Sequence, residues 1–510
     1  MHGSLVYRGL HRGEWLVRCD TRDGKEDLWA ISPSADRAAW GRCEGRVWIE
    51  LETAHALMDL SDRSETGIAG GAHFELGMER CSGTLATEPS RLAPMVSDGA
   101  NRLDAKSSGA TRIIFHANAS ARQVECTLLW LFGAHSTARI AAQAVTVRLP
   151  SHIDKLELVG DIVVHAGTLL RLEAETAITL MVGSKQLRVK QGGHLELVGL
   201  TIADSVGGTA LLSEGEVKVW NCSFLRCQTG SNGVFRIGET LAPVGSDANP
   251  PVRGALITGG GGAIRMLWSK ATLAVIGTRF SNNAARGQVA SRGGALYAVG
   301  GKISLEATTL QDNRAEMATY TSRGGAASLT YVYFNIANCR FVRNTARHGV
   351  LGAGGALEFA NARGQIELSV FEGNVATDTV GTSKGGGIAV ASQSTVELSS
   401  CRFVRNQALN GGGGMGTYGG AVSMDRDANL SVAVTVFEGN FACGLESAGG
   451  AIHVYASSLE LKAGVSFRSN NVSSVTNAQG GAISLQGGSA TLVADQATRF
   501  IGNTVRTSCF

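Results

Sequence analysis

The chain has 510 residues and 67 glycines, about 13% against an average near 7%. Its 44% hydrophobic content excludes a disordered chain, and 7 prolines without a Gly-x-y period exclude a collagen. The net charge of +3, from 46 basic and 43 acidic residues with no run of five like charges, leaves no footprint for nucleic acid and no polybasic membrane tail.

Residues 1–145 hold five of the seven tryptophans and no repeat. Strand-like runs at 5–8, 15–18 and 47–51 are the only elements read there. This is a poorly specified N-terminal region, expected to cap the repeats downstream. The opening MHGSLVYRGL lacks the 7–15-residue apolar core of a secretory signal. The longest apolar stretch, 127–132, is far shorter than a membrane-spanning helix. The expectation is therefore either an intracellular protein or a chain whose native N-terminus lies upstream. Ten cysteines with no CxxC pair and no zinc spacing imply neither a metal site nor a disulfide scaffold. Four N-x-S/T sequons, at Asn118, Asn221, Asn429 and Asn471, are within what chance supplies.

Residues 146–510 read as one repeat domain. Weak copies come first, at 156–164 and 169–182. Clearer ones come next: Leu195, Leu197, Leu200 and Ile202, then Val217, Val219, Cys222 and Phe224, with a 22-residue step between Ile202 and Phe224. Residues 228–260, which include Pro250 and Pro251, interrupt the pattern as a long insertion.

From 261 onward the repeat is regular. A Gly-Gly-Ala-aliphatic block begins at Gly261, Gly293, Gly324, Gly354, Gly385, Gly419, Gly449 and Gly480. The near-constant step between these blocks is of the size that marks a solenoid. Gly387 and Ala327 are the two departures from the block. A Phe-x-x-Asn block runs between the glycine blocks. Its phenylalanines are Phe280, Phe341, Phe371, Phe403, Phe437, Phe467 and Phe500, with Leu310 filling the one gap. Its asparagines are Asn283, Asn313, Asn344, Asn374, Asn406, Asn440, Asn470 and Asn503.

Alternation within each copy has period two, which means strand. Leu357 and Phe359, or Ile452 and Val454, point inward, while Arg265, Tyr297, Ser328, Glu358, Ala389, Ser423, His453 and Ser484 fall on the opposite face, expected to be solvent. A second alternation precedes each Phe, as in Leu398 and Val396. About three short strands per copy cannot bury their own apolar face, so copies must stack. The predicted fold is all-β: a parallel β-helix solenoid of about 11–12 coils, with equivalent residues about 4.8 Å apart. In that frame the Asn and Phe positions are structural ladders. Cys339 and Cys401, two coils apart, are too distant for a disulfide.

Loops of about nine to twelve residues connect each Asn to the next Gly-Gly: 284–292, 314–323, 375–384 and 407–418. Exposed and variable, they are the expected contact points for a carbohydrate or a cell-surface protein. No catalytic set, cofactor site or metal cluster emerges. Glu358 and His453 lie three coils apart, about 14 Å, too far to act as a pair. Asp425 and Asp427 read as a solvated turn, and GxSxG, HExxH and P-loop motifs are absent. Arg343, Glu372, Arg405 and Glu438 suggest a surface ladder of alternating charge.

The paired Gly-Gly-Ala-[Ile/Leu/Val] and Phe-x-x-Asn blocks resemble the repeat of the chlamydial polymorphic outer membrane proteins. The wider likeness is to the pectate-lyase-like right-handed β-helix. The resemblance covers 261–503 strongly and 150–227 weakly. It implies right-handed coiling and a surface-exposed passenger used in adhesion. No lyase or polygalacturonase motif accompanies it. The function expected is a non-catalytic surface or extracellular binding scaffold. The alternatives are a carbohydrate-active enzyme and, because the chain stops at Phe510 inside the repeat, a fragment of a larger structural or surface protein.

Overall fold

The computed structural model describes 144–229, 260–287, 289–410, 415–509 and most of 120–132 with side chains. For eight earlier strands between Gly3 and Phe115 it describes the backbone alone. The expected insertion at 228–260 lies almost wholly outside the described residues. The chain divides into two compact units, 1–180 with 194–200 and 181–193 with 201–510.

In the first unit, strands Gly3–His11, Glu14–Asp20 and Gly45–Leu51 fall on the three strand-like runs read from sequence. A helix, Ala121–Phe132, was not anticipated. Its signal was present: Val124, Leu128 and Phe132 recur every fourth residue and are all buried. Strand Ala144–Leu149 then pairs in parallel with Leu169–Ala174, where the parallel stacking is already established.

The second unit is the right-handed parallel β-helix. Rungs at Ile202 and Phe224 lead into eight coils that follow the regular repeat. The coil that starts at Gly354 shows the plan. Strand Leu357–Ala360 leaves the Gly-Gly turn, Arg363–Glu367 follows, and a corner at Leu368 leads into Val370–Glu372. After Asn374, strand Val375–Asp378 runs out to a tip and Thr382–Lys384 returns to the next Gly-Gly. The five coils that start at Gly261 to Gly385 carry five short strands each rather than three, and in the next two the arm is one longer strand, Phe441–Ala448 or Asn471–Gln479. The segments expected to be loops are arms whose two limbs pair with the limbs of neighbouring coils, for example Ala376 with Ala408 and Ser383 with Thr417. Short strands form there because each limb finds partners above and below, so its backbone N–H and C=O groups are satisfied.

The core follows from rung-on-rung register. Phe341, Phe371, Phe403, Phe437, Phe467 and Phe500 stack face to face at 4.6–5.0 Å. Phe224 and Phe280 stack in the same way at 4.9 Å, and Leu310, fully buried, bridges the gap. Beside them runs a second ladder, of carboxamides. The side-chain oxygen of Asn374 accepts from both the backbone and the side-chain nitrogen of Asn344, each at 3.0 Å. Its own nitrogen donates to the Phe341 carbonyl and to Asn406, both at 2.9 Å. The pattern is repeated from Asn283 to Asn503, and Asn283 to Asn470 are completely buried.

Several positions in each coil adopt left-handed φ, and of these the first residue of the Gly-Gly turn is glycine every time. At Gly354 (φ +64°) an added Cβ would collide with the carbonyl of Leu357. At Gly373 (φ +62°) it would meet nothing closer than Arg343 Cγ at 3.6 Å. The equivalents of Gly373 are accordingly free to be Asn282, Asp312, Arg343, Arg405 or Ser469. The alternation of Phe-Val-Arg-Asn with Phe-Glu-Gly-Asn is therefore a variation at an open left-handed corner. Arg343 pairs with Asp312 at 2.9 Å and Arg405 with Glu372 at 2.7 Å, so the expected Arg343–Glu372 rung is not formed.

Cys339 and Cys401 are free and buried, as their two-coil separation required. Cys443 and Cys509 form a disulfide, with 5.7 Å between their Cα atoms. This bond was invisible to ladder spacing because Cys509 lies beyond the last strand, Thr504–Arg506. No described helix is long and apolar enough to cross a membrane.

Both the amide ladder and the glycine turn can be tested by substitution. Asn374→Ala strips Asn344 of its shared acceptor in a dry interior and is expected to cost about 3 kcal/mol in urea unfolding. The exposed control Asn335→Ala is expected to stay within about 0.5 kcal/mol. Gly354→Ala is expected to cost at least about 2 kcal/mol, whereas Gly373→Asn is expected to be near neutral; equal losses at the two sites would contradict the steric account.

Candidate functional site

The Gly-Gly turn does more than reverse the chain. It brings the residue before the first glycine and the fourth residue after it onto the same side. Two facing ladders result. The arm ladder runs Arg292, Arg323, Ala353, Lys384, Tyr418, Ala448, Gln479. The sheet ladder runs Arg265, Tyr297, Ser328, Glu358, Ala389, Ser423, His453, Ser484.

The expectation of a solvent-facing sheet ladder is corrected here. All eight of its residues are buried, with exposures of 0–6%. The returning arm limbs lie over the strand and cover it, which the reading of 284–292 and its equivalents as loops could not show. Arg323 donates to Glu358 at 3.1 Å, and Ser328 donates to the other carboxylate oxygen at 2.7 Å. Arg292 donates to the Tyr297 hydroxyl, while Arg265 lies over the Tyr297 ring, 5.7 Å from its centroid. Lys384 reaches Asp425 at 2.7 Å, and Asp427 remains on an exposed turn. The Tyr418 ring packs 4.7 Å from the ring of His453.

His453 is the most perturbed group of this row. Burial pushes its pKa down to about 4, against the opposing effect of a 3.2 Å hydrogen bond between Nε2 and Gln486. Its Nδ1 and the hydroxyl of Ser423 on the adjacent rung are buried without partners. A neutral, covered imidazole is a poor proton shuttle. Glu358 has both carboxylate oxygens engaged, by Arg323 and Ser328. Among the described residues no group of three His, Cys, Asp or Glu could hold a metal ion.

The arm tips form a second, exposed feature. Glu316, buried between Arg286 and Arg347, braces two of the arms. Burial pushes its pKa up, but the hydrogen bonds from Arg347 and Arg286 prevail and hold it below the ordinary carboxylate range. Asp378 closes the next tip, accepting from Ser383 at 2.6 Å and from the Gly381 N–H at 2.8 Å. Outside these braces each coil presents an apolar side chain: Val289, Met317, Val350, Val380, Met415, Leu445 and Val475, between 39% and 72% exposed, with Tyr320 beside them. Val289, Tyr320 and Val350 lie in direct backbone register. Seven consecutive rungs make a line roughly 29 Å long.

The structure thus leaves the Asn and Phe positions in the interior, apart from Phe500, which is exposed, and Asn503, which is part-buried, and brings together a polar layer that sequence reading divided. Its arm half, Arg292, Arg323, Lys384 and Tyr418, was missed. A signal existed in the large or charged residue that often stands immediately before Gly-Gly.

No protein-family model and no curated protein matches this chain. Among solved structures, it is similar to a periplasmic alginate epimerase, AlgG, at 9% identity and a TM-score of 0.32, covering 79% of this chain and 85% of that one. It is also similar to the Streptococcus pneumoniae surface protein and adhesin PfbA, at 11% identity and a TM-score of 0.23, covering 71% and 92%.

The depressed pKa of His453 has a pH consequence. The unfolded imidazole takes up a proton below about 6.5 while the folded one resists until about 4, so stability falls as pH drops through that window. Between pH 7 and 4.5 the wild type is expected to lose ~2–3 kcal/mol more than His453→Gln in urea unfolding. Parallel pH curves for the two proteins would refute the assignment.

Proposed function

We propose that this chain is a non-catalytic β-helical scaffold that engages a cell-surface protein through the tips of its arms, at a surface or in an extracellular space. The observation that carries this reading is an exposed apolar side chain on each of seven successive arms, from Val289 to Val475. Single exposed apolar residues are ordinary, but their recurrence at one arm tip after another points to an interaction site. Arg286 and Arg347 on these arms are paired with Glu316. The resemblance of the repeat to that of the polymorphic outer membrane proteins and the Cys443–Cys509 disulfide, at home in an oxidising compartment, support the proposed location.

A carbohydrate-active enzyme is the second reading. It is favoured by the titratable side chains of Tyr297, Glu358 and His453 on the outer side of the Gly-Gly-Ala strand. Their burial beneath the arms and the three-rung gap between Glu358 and His453 weigh against it.

Deleting whole arms would remove ladder strands, so point changes at the tips give the sharper test. Val350→Ser, Val380→Ser and Met415→Ser combined are expected to lower adhesion of the labelled protein to intact cells at least about tenfold. The β-rich circular dichroism should not change, and protease treatment of the cells should abolish adhesion. Full adhesion by the triple variant would overturn the reading. Turnover of polyuronates or neutral glycans that disappears in Glu358→Gln would establish the enzyme instead.

A further inference from the structure

The last coil ends the stack without a cover. Its strands Ile483–Gln486, Thr491–Ala494, Arg499–Ile501 and Thr504–Arg506 each pair with one strand, on the coil before. The side chains they turn toward the core, Leu485, Leu492, Phe500 and Val505, are 36–52% exposed, whereas Val454, Leu459, Phe467 and Val472, one coil earlier, are completely buried. The tail does not fold over them, because Cys509 is bonded to Cys443, two rungs back along the arms. Free sheet edges are ordinarily guarded by proline, by inward charge or by a bulge. These four strands carry no proline and no charge at an inward position. Their outward side changes as well. Val493 stands where the four preceding coils have Gln365, Glu397, Ser431 and Glu460. Ile501 follows Glu438 and Arg468. Both Val493 and Ile501 are exposed. The final coil is thus apolar on both sides of its sheet and open along its edge.

We propose that a second copy of this chain covers it: two stacks meet last coil to last coil, about a two-fold axis at the Ala497 turn, with their edge strands antiparallel. The sequence around that turn is self-complementary. An antiparallel pairing centred on Ala497 sets Ala494 opposite the partner's Phe500, Val493 opposite the partner's Ile501, and Asp495 opposite the partner's Arg499. Residues directly opposed in an antiparallel pair share a face. Here inward meets inward, outward apolar meets outward apolar, and acid meets base. The two-fold axis makes each of these contacts twice. Asp495 spends one oxygen on the Ala497 N–H, at 2.7 Å, and has a second to offer the partner's guanidinium. Where the parallel stacking begins, Ala144–Leu149 is already paired on both edges, with Leu169–Ala174 and with Ala110–Phe115, so like end meets like end. No arm tip takes part, so failure of this contact would leave the binding-scaffold reading untouched.

The test is sedimentation equilibrium of the full chain, with circular dichroism to check that each variant is folded. The wild type is expected to sediment chiefly at twice the monomer mass at about 20 µM. Asp495→Arg and Arg499→Asp each set like charges against one another twice, and each should raise the dimer dissociation constant at least about tenfold. Combining the two reversals restores opposite charges across the axis and should return the constant to within about threefold of wild type, a rescue that damage to the fold cannot produce. Val493→Ser with Ile501→Ser should weaken the dimer at least about tenfold, and the arm-tip change Val380→Ser should leave it as it was. A wild type that stays monomeric up to about 100 µM would overturn the proposal. So would single reversals that dimerise like the wild type, or a combined reversal no tighter than the singles.

Discussion

One carboxamide per coil sets the terms for the rest of this structure. A buried Asn oxygen that accepts two hydrogen bonds from the coil before it, and a nitrogen that reaches both the coil before and the coil after, leaves no slack in register. A slip of one residue would set each carboxamide opposite a neighbour of the next Asn and leave several buried polar groups unpaired, each costing about 1–3 kcal/mol. Alignment of the phenylalanines follows from alignment of the asparagines three residues later. The aromatic stack therefore adds burial to a register that the amides already specify.

The Gly-Gly turn is the second constraint, and it links fold to site. Its first residue must be left-handed at a place where the carbonyl of the third residue beyond leaves no room for a Cβ. Its second lies against the backbone of the following coil: a Cβ on Gly355 would collide with the Gly386 carbonyl. With both residues reduced to bare backbone, the returning arm can close down on the outer side of the sheet. That closure turns a strand face which alternation marks as outward into a covered polar layer. Charge on that face then has to be met inside the protein, by Arg323 for Glu358 and by Lys384 for Asp425.

Legibility in the sequence tracks how local each cause is. The rungs, their spacing and the Phe and Asn ladders could be read because identical residues recur at identical phase. The gap at Leu310 could be read because its neighbours on both sides were Phe. The helix Ala121–Phe132 carried a four-residue period but stood in a stretch read for strands. The Cys443–Cys509 bond depends on where a non-repeating tail turns, which no period encodes. The burial of Glu358 and His453 was missed for a different reason. Period two separates inward from outward, but it cannot say that the outward side of one strand will be roofed by the limb of an arm. The arms looked like loops because their limbs are short, as in Val375–Asp378 and Thr382–Lys384, and their ladder partners sit a whole coil away in sequence.

The two surfaces of an arm therefore answer to different physics. Its inner side faces a polar layer in which Arg323 meets Glu358 and Lys384 meets Asp425. Its tip faces water and carries apolar groups that gain from being covered. Neither demand comes from the β-helix itself, which would be as well packed with alanine at the tips and serine along the roofed strand. The coil between the Ile202 and Phe224 rungs closes in a shorter step than any of the later ones. The additional residues in each later coil build the arm. Ordering them costs on the order of 1–2 kcal/mol of backbone entropy per residue. The limbs recover part of that through their ladders, and the tips recover some through bonds such as Val350 N–H to the Tyr320 carbonyl, while their exposed apolar side chains recover none. Exposed apolar side chains that gain nothing from the fold they sit on, repeated on seven successive coils, are where the contacts of this protein with other molecules are to be sought.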